Sequence, residues 1–278
     1  MKLIRFGQFK NEKPGVVDDS GIIRDVSEYV NDFDCAFFES GGLDKLKELN
    51  LSSLPEASAN IRIGAPVAHV GKMICVGLNY ADHAAESGME VPSEPVLFMK
   101  ATSSIIGPND DVILPPNSTK SDWEVELGVV IGKEARYVSE KDAMGYVADF
   151  CVINDLSERG FQLEKQGQWC KGKGCDTFGP IGPYLVTKDE IVDFDKLGIW
   201  LNVNGDSMQK GNTSTMVYKV PYLVHYISQF MSLQSGDIIS TGTPPGVGLG
   251  MNPPKYLTKG DVLTLGIDGL GLQKQTVV

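Results

Sequence analysis

The stretch Ser121–Lys133, SDWEVELGVVIGK, restricts the fold of this chain more than any other. It is an apolar run that reads as a strand, yet it carries Glu124 and Glu126 two residues apart. Side chains alternate faces along a strand, so Trp123, Val125, Leu127, Val129 and Ile131 fall on one side and the two glutamates point together to the other. Paired carboxylates on a half-buried surface repel and lose hydration, so they require a cation, a shared proton or open water. Spacing alone admits two readings: solvated strand-face acids, or part of a divalent-metal site.

The rest of the chain is consistent with a β-rich protein of mixed α+β class. Lys2–Phe6, Lys13–Val17 and Gly21–Val26 are short β-like runs, the last two joined by the turn signal Asp18-Asp19-Ser20-Gly21. Asp44–Leu49 reads as a short helix, and residues 1–66 as a small N-terminal β-rich domain ahead of a larger one over 67–278. Within the larger part, β-like runs at Met73–Val76, Tyr146–Ile153 and Asp237–Ile239 are interrupted by Gly and Pro. Helical patterns occur at about 82–87, 141–144 and 220–232. Strands do not alternate regularly with helices, which disfavours a doubly wound sheet and favours a β sandwich or roll.

Charge narrows the partners. Lys and Arg total 25 against 36 Asp and Glu, a formal net charge of −11, which disfavours nucleic acid and anionic membrane surfaces. An anionic substrate must then meet a local cation. No run approaches the roughly 18 apolar residues of a spanning helix and the N-terminus lacks a signal-peptide pattern, so a cytoplasmic protein without membrane association is expected. Cys35, Cys75, Cys151, Cys170 and Cys175 include no C-x-x-C pair, and reduced structural thiols are expected.

Several residues can carry chemistry. The run 146–153 ends in Asn154-Asp155, and Asp155 with Glu124 and Glu126 makes an oxygen-only donor set suited to Mg²⁺, Mn²⁺ or Ca²⁺ better than Zn²⁺. His83 and Glu86 share a helical face if the segment from Asp82 is helical, which outlines either a His–Glu general-base pair or an ordinary surface histidine. Lys171 and Lys173 sit in a Gly-rich loop, and Ser240–Gly250 is a second. Neither loop matches a Walker A or a dinucleotide fingerprint.

Taken together, GLNYADHAAE (77–86), FMK (98–100), DWEVELGVVIG (122–132), NDLSER (154–159), KGCDTFGP (173–180) and STGTPPGVG (240–248) resemble the fumarylacetoacetate hydrolase family, specifically its bacterial members. The resemblance implies a β-roll catalytic domain, a homodimer, and Mg²⁺ or Mn²⁺ held by Glu124, Glu126 and Asp155. It implies that His83 and Glu86 lie on a lid and activate water, and that Lys173 faces substrate oxygens. Tyr80, Lys100, Arg159, Gln162 and Thr243 fall on positions that line the pocket or hold the substrate carboxylate. The fourth carboxylate of the eukaryotic enzyme has no equivalent, since the matching stretch is Asn79-Tyr80. The expected reaction is hydrolytic C–C cleavage of a small anionic 2,4-dioxo acid through an enolate, either an acylpyruvate or a 2,4-diketo-3-deoxy sugar acid, with the sugar acid favoured. Within the same chemistry stand lyase, decarboxylase and isomerase alternatives of the ureidoglycolate lyase, oxaloacetate decarboxylase or 2-hydroxyhepta-2,4-dienedioate isomerase type; outside it, a non-catalytic metal-stabilised binding protein.

Overall fold

A computed structural model describes every residue of the chain except Ser87 and Met89. Among the described residues the strands gather into one large mixed sheet, a four-stranded sheet and a two-stranded ribbon. Along the large sheet the order is Ile23–Asp25, Asn11–Val17, Lys2–Gln8, Gly179–Thr187, Val147–Asn154, Val125–Ile131, Ile238–Ser240, Met73–Gly77 and Val96–Lys100. Pairing is antiparallel except between Ile238–Ser240 and Met73–Gly77, and where Ile105–Ile106 joins Gly179–Thr187. The N-terminal strands continue this sheet, because Lys2 and Leu3 pair with Val186 and Leu185. The Asp18 turn forms as its sequence indicates, with Asp18 Oδ1 accepting from the Ser20 and Ile22 N–H groups at 2.9 and 3.0 Å.

The central strands are buried on both faces. One face packs Trp123, Val125, Leu127, Val129 and Ile131 against Leu201, Val203, Leu263 and Leu265 of the four-stranded sheet, Asp206–Asn212, Gly198–Val203, Val262–Ile267 and Gly271–Thr276. The other buries Val130, Cys151 and Ile153 against Phe33, Phe37 and Leu46 of the N-terminal region. Period-2 alternation therefore serves two apolar layers at once, and the two glutamates mark the point where the sheet opens into a cavity. The chain is thus β-rich with short helices, as expected.

Boundaries moved where side chains compete with the ladder. The stretch 121–133 is one strand only from Val125 to Ile131, while Ser121–Asp122 pairs separately with Ser157–Glu158. Between them, Asp122, Asn154 and Gln209 side chains accept the Trp123, Glu124 and Val125 N–H groups at 2.8, 3.3 and 3.0 Å and replace a neighbouring strand. The helix expected over 220–232 ends at Ser228, where Gln229 and Phe230 N–H turn to the i−3 carbonyls and tighten the last turn. The 141–144 pattern is a 3₁₀ segment, Glu140–Gly145, and the N-terminal helix is Gly42–Lys47. Ala81–Glu86 is helical, and the expected continuation to Ser87 lies outside the described residues. No helix among the described residues is long and apolar enough to cross a membrane.

Candidate active site

Glu124, Glu126 and Asp155 are buried and each offers an oxygen within 4.8 Å of the others. Alternation puts both glutamates on one face, and the Val147–Asn154 strand, paired with their own, delivers Asp155 just past its end. The Asp155 N–H donates to the Glu124 carbonyl at 2.8 Å, which locks the two segments together. Three hard oxygen donors with no nitrogen or sulfur among them fit Mg²⁺ or Mn²⁺.

Three cationic side chains surround these acids. Lys173 donates to Glu124 Oε2 and, at 2.8 Å, to Asp155 Oδ2. Lys100 donates to Asp155 Oδ1 at 2.6 Å and to the Leu156 carbonyl at 2.9 Å. Arg159 reaches Asp122 Oδ2 through Nε at 2.8 Å, Gln162 Oε1 through Nη1 at 3.0 Å and Glu124 Oε1 through Nη2 at 2.6 Å. Burial pushes the Glu124 carboxyl up, yet Arg159 and Lys173 outweigh it and hold the group far below the usual range. Burial disfavours charge on Lys173 and Arg159 too, and the neighbouring carboxylates overcome it and raise both.

Glu126 is different. Its Oε2 accepts from Ser240 Oγ at 2.6 Å and from the Gly242 N–H at 2.9 Å, with no cationic side chain bound to it among the described residues. Burial first, then the Asp155 and Glu124 charges, push it up to about 8. A carboxylate in this position lacks one positive charge, and that is an independent reason why a divalent cation fits here.

His83 and Glu86 lie on the Ala81–Glu86 helix, one turn apart. His83 lines the cavity, its Nδ1 is buried without a hydrogen-bond partner among the described residues, and Glu86 Oε2 stands 3.6 Å away, too far for a hydrogen bond. Glu86 is fixed instead by the Gly246 N–H, which donates to both carboxylate oxygens at 3.0 and 2.9 Å. Burial works against its charge, but His83 and the Gly246 N–H hold Glu86 below its ordinary value.

Gln162 and Thr243 line the same cavity, which has a volume of about 40 Å³. Thr243 Oγ1 donates to the Val125 carbonyl at 2.9 Å and accepts from Gln209 Nε2 at 2.7 Å. Lys100 lies outside the lining, behind Asp155, and pins that carboxylate. Tyr80 also lies outside the lining; it is fully buried, bridges to Met216, and its hydroxyl has no partner among the described residues. Asn79, where a fourth carboxylate would stand, has its amide committed to Tyr218 and the Thr241 carbonyl.

The sequence reading passed over the residues that hold this constellation in place. Asp122 accepts from Arg159, Trp123 N–H, Gly248 N–H at 2.7 Å and Leu249 N–H at 3.0 Å. The loop after Ile238–Ser240 presents backbone donors to Glu126, Glu86 and Asp122 in turn, from Gly242, Gly246 and Gly248. Gly242 has φ +97, and a Cβ there would stand 2.7 Å from Asn79 Cβ; Gly246 has φ +106, and its Cβ would fall 2.0 Å from the Met208 carbonyl oxygen. The spacing of those glycines in the Ser240–Gly250 loop was the available signal.

Residues 72–278 match the family model described as fumarylacetoacetate (FAA) hydrolase C-terminal. A Burkholderia cenocepacia protein under a provisional hydrolase name is 55% identical over 277 residues, covering 99% of this chain and 98% of that one. The fumarylacetoacetate hydrolase of Exiguobacterium antarcticum superposes with a TM-score of 0.89 at 35% identity, over 100% of this chain and 99% of that one. Maleylpyruvate hydrolase of Sphingobium sp. SYK-6, solved with manganese(II) and pyruvate, superposes with a TM-score of 0.83 at 29% identity over 100% and 99%. Isomerases are among the solved matches as well.

Proposed function

Because the chain belongs to the fumarylacetoacetate hydrolase family, we propose that it is a Mg²⁺- or Mn²⁺-dependent hydrolase that cleaves the C3–C4 bond of a 2,4-dioxo acid, releasing pyruvate and a carboxylic acid. The observation that carries the reading is the buried Glu124, Glu126 and Asp155 trio, whose two glutamates line one cavity with His83 and Lys173 and whose aspartate adjoins them. Glu124, Glu126 and Asp155 would hold the metal, and a bound divalent cation supplies Lewis acidity to substrate oxygens.

This chain's own groups account for the proton and charge movements. A water enters on the His83 side and loses a proton to a ring nitrogen as its oxygen attacks C4. The Glu86 carboxylate, 3.6 Å from His83 Nδ1, favours the imidazolium that results. As C3–C4 breaks, its electron pair passes to C3 and the 2-oxo oxygen, where the Lys173 ammonium supplies a preformed positive charge. A proton returned to C3 completes pyruvate, and the C4 fragment leaves as the acid.

The test is turnover of a panel of acylpyruvates and 2,4-diketo-3-deoxy sugar acids with Mg²⁺ or Mn²⁺, followed by loss of enol absorbance and by pyruvate release. Metal-dependent loss of absorbance with stoichiometric pyruvate is expected. Loss of absorbance without pyruvate would place the chain with the isomerases instead, and inertness toward the whole panel would remove the hydrolase reading.

A further inference from the structure

The charges around the cavity limit what the far end of the substrate can be. Asp122, Glu124, Glu126 and Asp155 are all buried, and so are Arg159, Lys173 and Lys100. Each of these cations is already bound to one or two of the carboxylates, and Arg159 bridges Asp122 and Glu124. Four buried carboxylates against three cationic side chains leave one negative charge, and Glu86, 3.6 Å from His83 Nδ1, adds a second. A divalent cation on the glutamate–aspartate trio offsets that charge and is what a substrate carboxylate would meet. A second carboxylate on the substrate would therefore be buried with no cation free to meet it among the described lining residues, and an unpaired buried charge is costly.

The remaining wall is apolar. Phe98 and Trp169 meet edge to face with centroids 5.4 Å apart, and Val76, Leu78, Leu163 and Leu249 complete the lining. Trp169 is seated by Gly77, where a Cβ would stand 2.7 Å from the indole. Leu163 is 38% exposed, which puts an apolar residue at the rim of the cavity. A polyhydroxylated tail would need a hydrogen-bond partner for each hydroxyl, whereas the Thr243 hydroxyl and the Gln162 carbonyl are already engaged, which leaves the Gln162 NH₂ and the His83 ring as the uncharged polar groups of the described lining. We infer that the substrate is a monocarboxylate with an uncharged apolar or aryl tail lying along Phe98 and Trp169 toward Leu163. The inference rests on the proposed reaction, and it selects the acylpyruvate over the sugar-acid form.

Two measurements separate the tail from the reaction. In the first, kcat/KM with Mn²⁺ is compared for 4-phenyl-2,4-dioxobutanoate, 2,4-dioxopentanoate, a 2,4-dioxo dicarboxylate and a polyhydroxylated 2,4-dioxo acid. The phenyl compound is expected to exceed the dicarboxylate and the polyhydroxylated acid by about tenfold or more. Trp169→Ala should cut the phenyl compound's advantage over 2,4-dioxopentanoate. In the second, calorimetry compares phenylpyruvate and 2-oxoglutarate binding to the Mn²⁺-loaded protein, with no turnover required. Tighter phenylpyruvate binding supports the tail assignment even if no dioxo acid is cleaved, an outcome that would remove only the reaction. Equal or better use and binding of the diacids, or an advantage that survives Trp169→Ala, would overturn it.

Discussion

Asp149 offers a sharp test of how this sheet treats a charge it does not use. It lies in the Val147–Asn154 strand, six residues before Asp155, fully buried, and neither carboxylate oxygen has a hydrogen-bond partner. Burial pushes its pKa up from the ordinary 3.8 to about 7; the Met1 ammonium, Lys188 and Lys47 oppose the rise and Asp189 adds to it. The folded group thus holds its proton where the unfolded one has released it, so the unfolded state binds fewer protons between about pH 4 and pH 7. Stability therefore falls as pH rises through that window and is level above it. A shift from 3.8 to about 7 corresponds to about 4 kcal/mol in full. Of that, about 2.5 kcal/mol develops between pH 5 and pH 8. Asp149→Asn keeps the shape and removes the titration, so its stability relative to the native chain should rise by about 2–3 kcal/mol across that interval, equivalent to roughly 5 °C or more in Tm. The assay is differential scanning calorimetry of both proteins at pH 5, 6, 7 and 8 with EDTA present, so that Glu126 and any metal contribute equally to each. Catalytic activity should be unchanged, since Asp149 touches no residue of the cavity. Parallel stability curves, within about 0.5 kcal/mol at every pH, would show that the carboxylate ionises normally in the folded chain and would refute the reasoning.

The site yields three further expectations. Glu126→Gln should weaken Mn²⁺ binding at least tenfold and lower turnover with it; retention of both would remove Glu126 from the ligand set. His83→Ala should leave Mn²⁺ affinity unchanged while kcat falls by about 10²–10⁴-fold, and full activity would take the base role from it without touching the metal assignment. Asp122→Asn removes a charge that faces Arg159 and three backbone N–H groups, and breaking one partner of a buried pair costs about 3–5 kcal/mol. A variant that melts within 2 °C of the native chain would show that Asp122 does not hold Arg159 or the 246–249 loop in place.

What could be read from the sequence is what local periodicity encodes. Alternation from Trp123 to Ile131 correctly set the apolar side against the core and both glutamates toward one cavity, although the strand itself begins only at Val125. The run read over Tyr146–Ile153 put Asp155 just past a strand terminus, and the strand ends at Asn154. The same alternation places Asp122 on the glutamates' face, and its role was missed because its partners, Arg159 and the 248–249 amides, lie 37, 126 and 127 residues away. The Ser240–Gly250 stretch was read only as a Gly-rich loop because its donors are backbone N–H groups, and every non-proline residue carries one. Only the conformation that Gly242 and Gly246 permit aims them at Glu126 and Glu86.

Charge compensation was the least legible part, and it governs the chemistry. Two glutamates on one strand indicate that some cation is required, yet local spacing does not reveal how many cations the fold supplies. Lys100, Arg159 and Lys173 arrive from separate elements, and between them they leave Asp155 and Glu124 paired and Glu126 alone. An anionic pair fully matched by lysine and arginine would be a structural salt-bridge cluster with little use for a metal. Glu126, met only by a hydroxyl and one amide, is where the balance fails. The unmatched carboxylate, more than the presence of three acids, is what suits this cavity to a divalent cation.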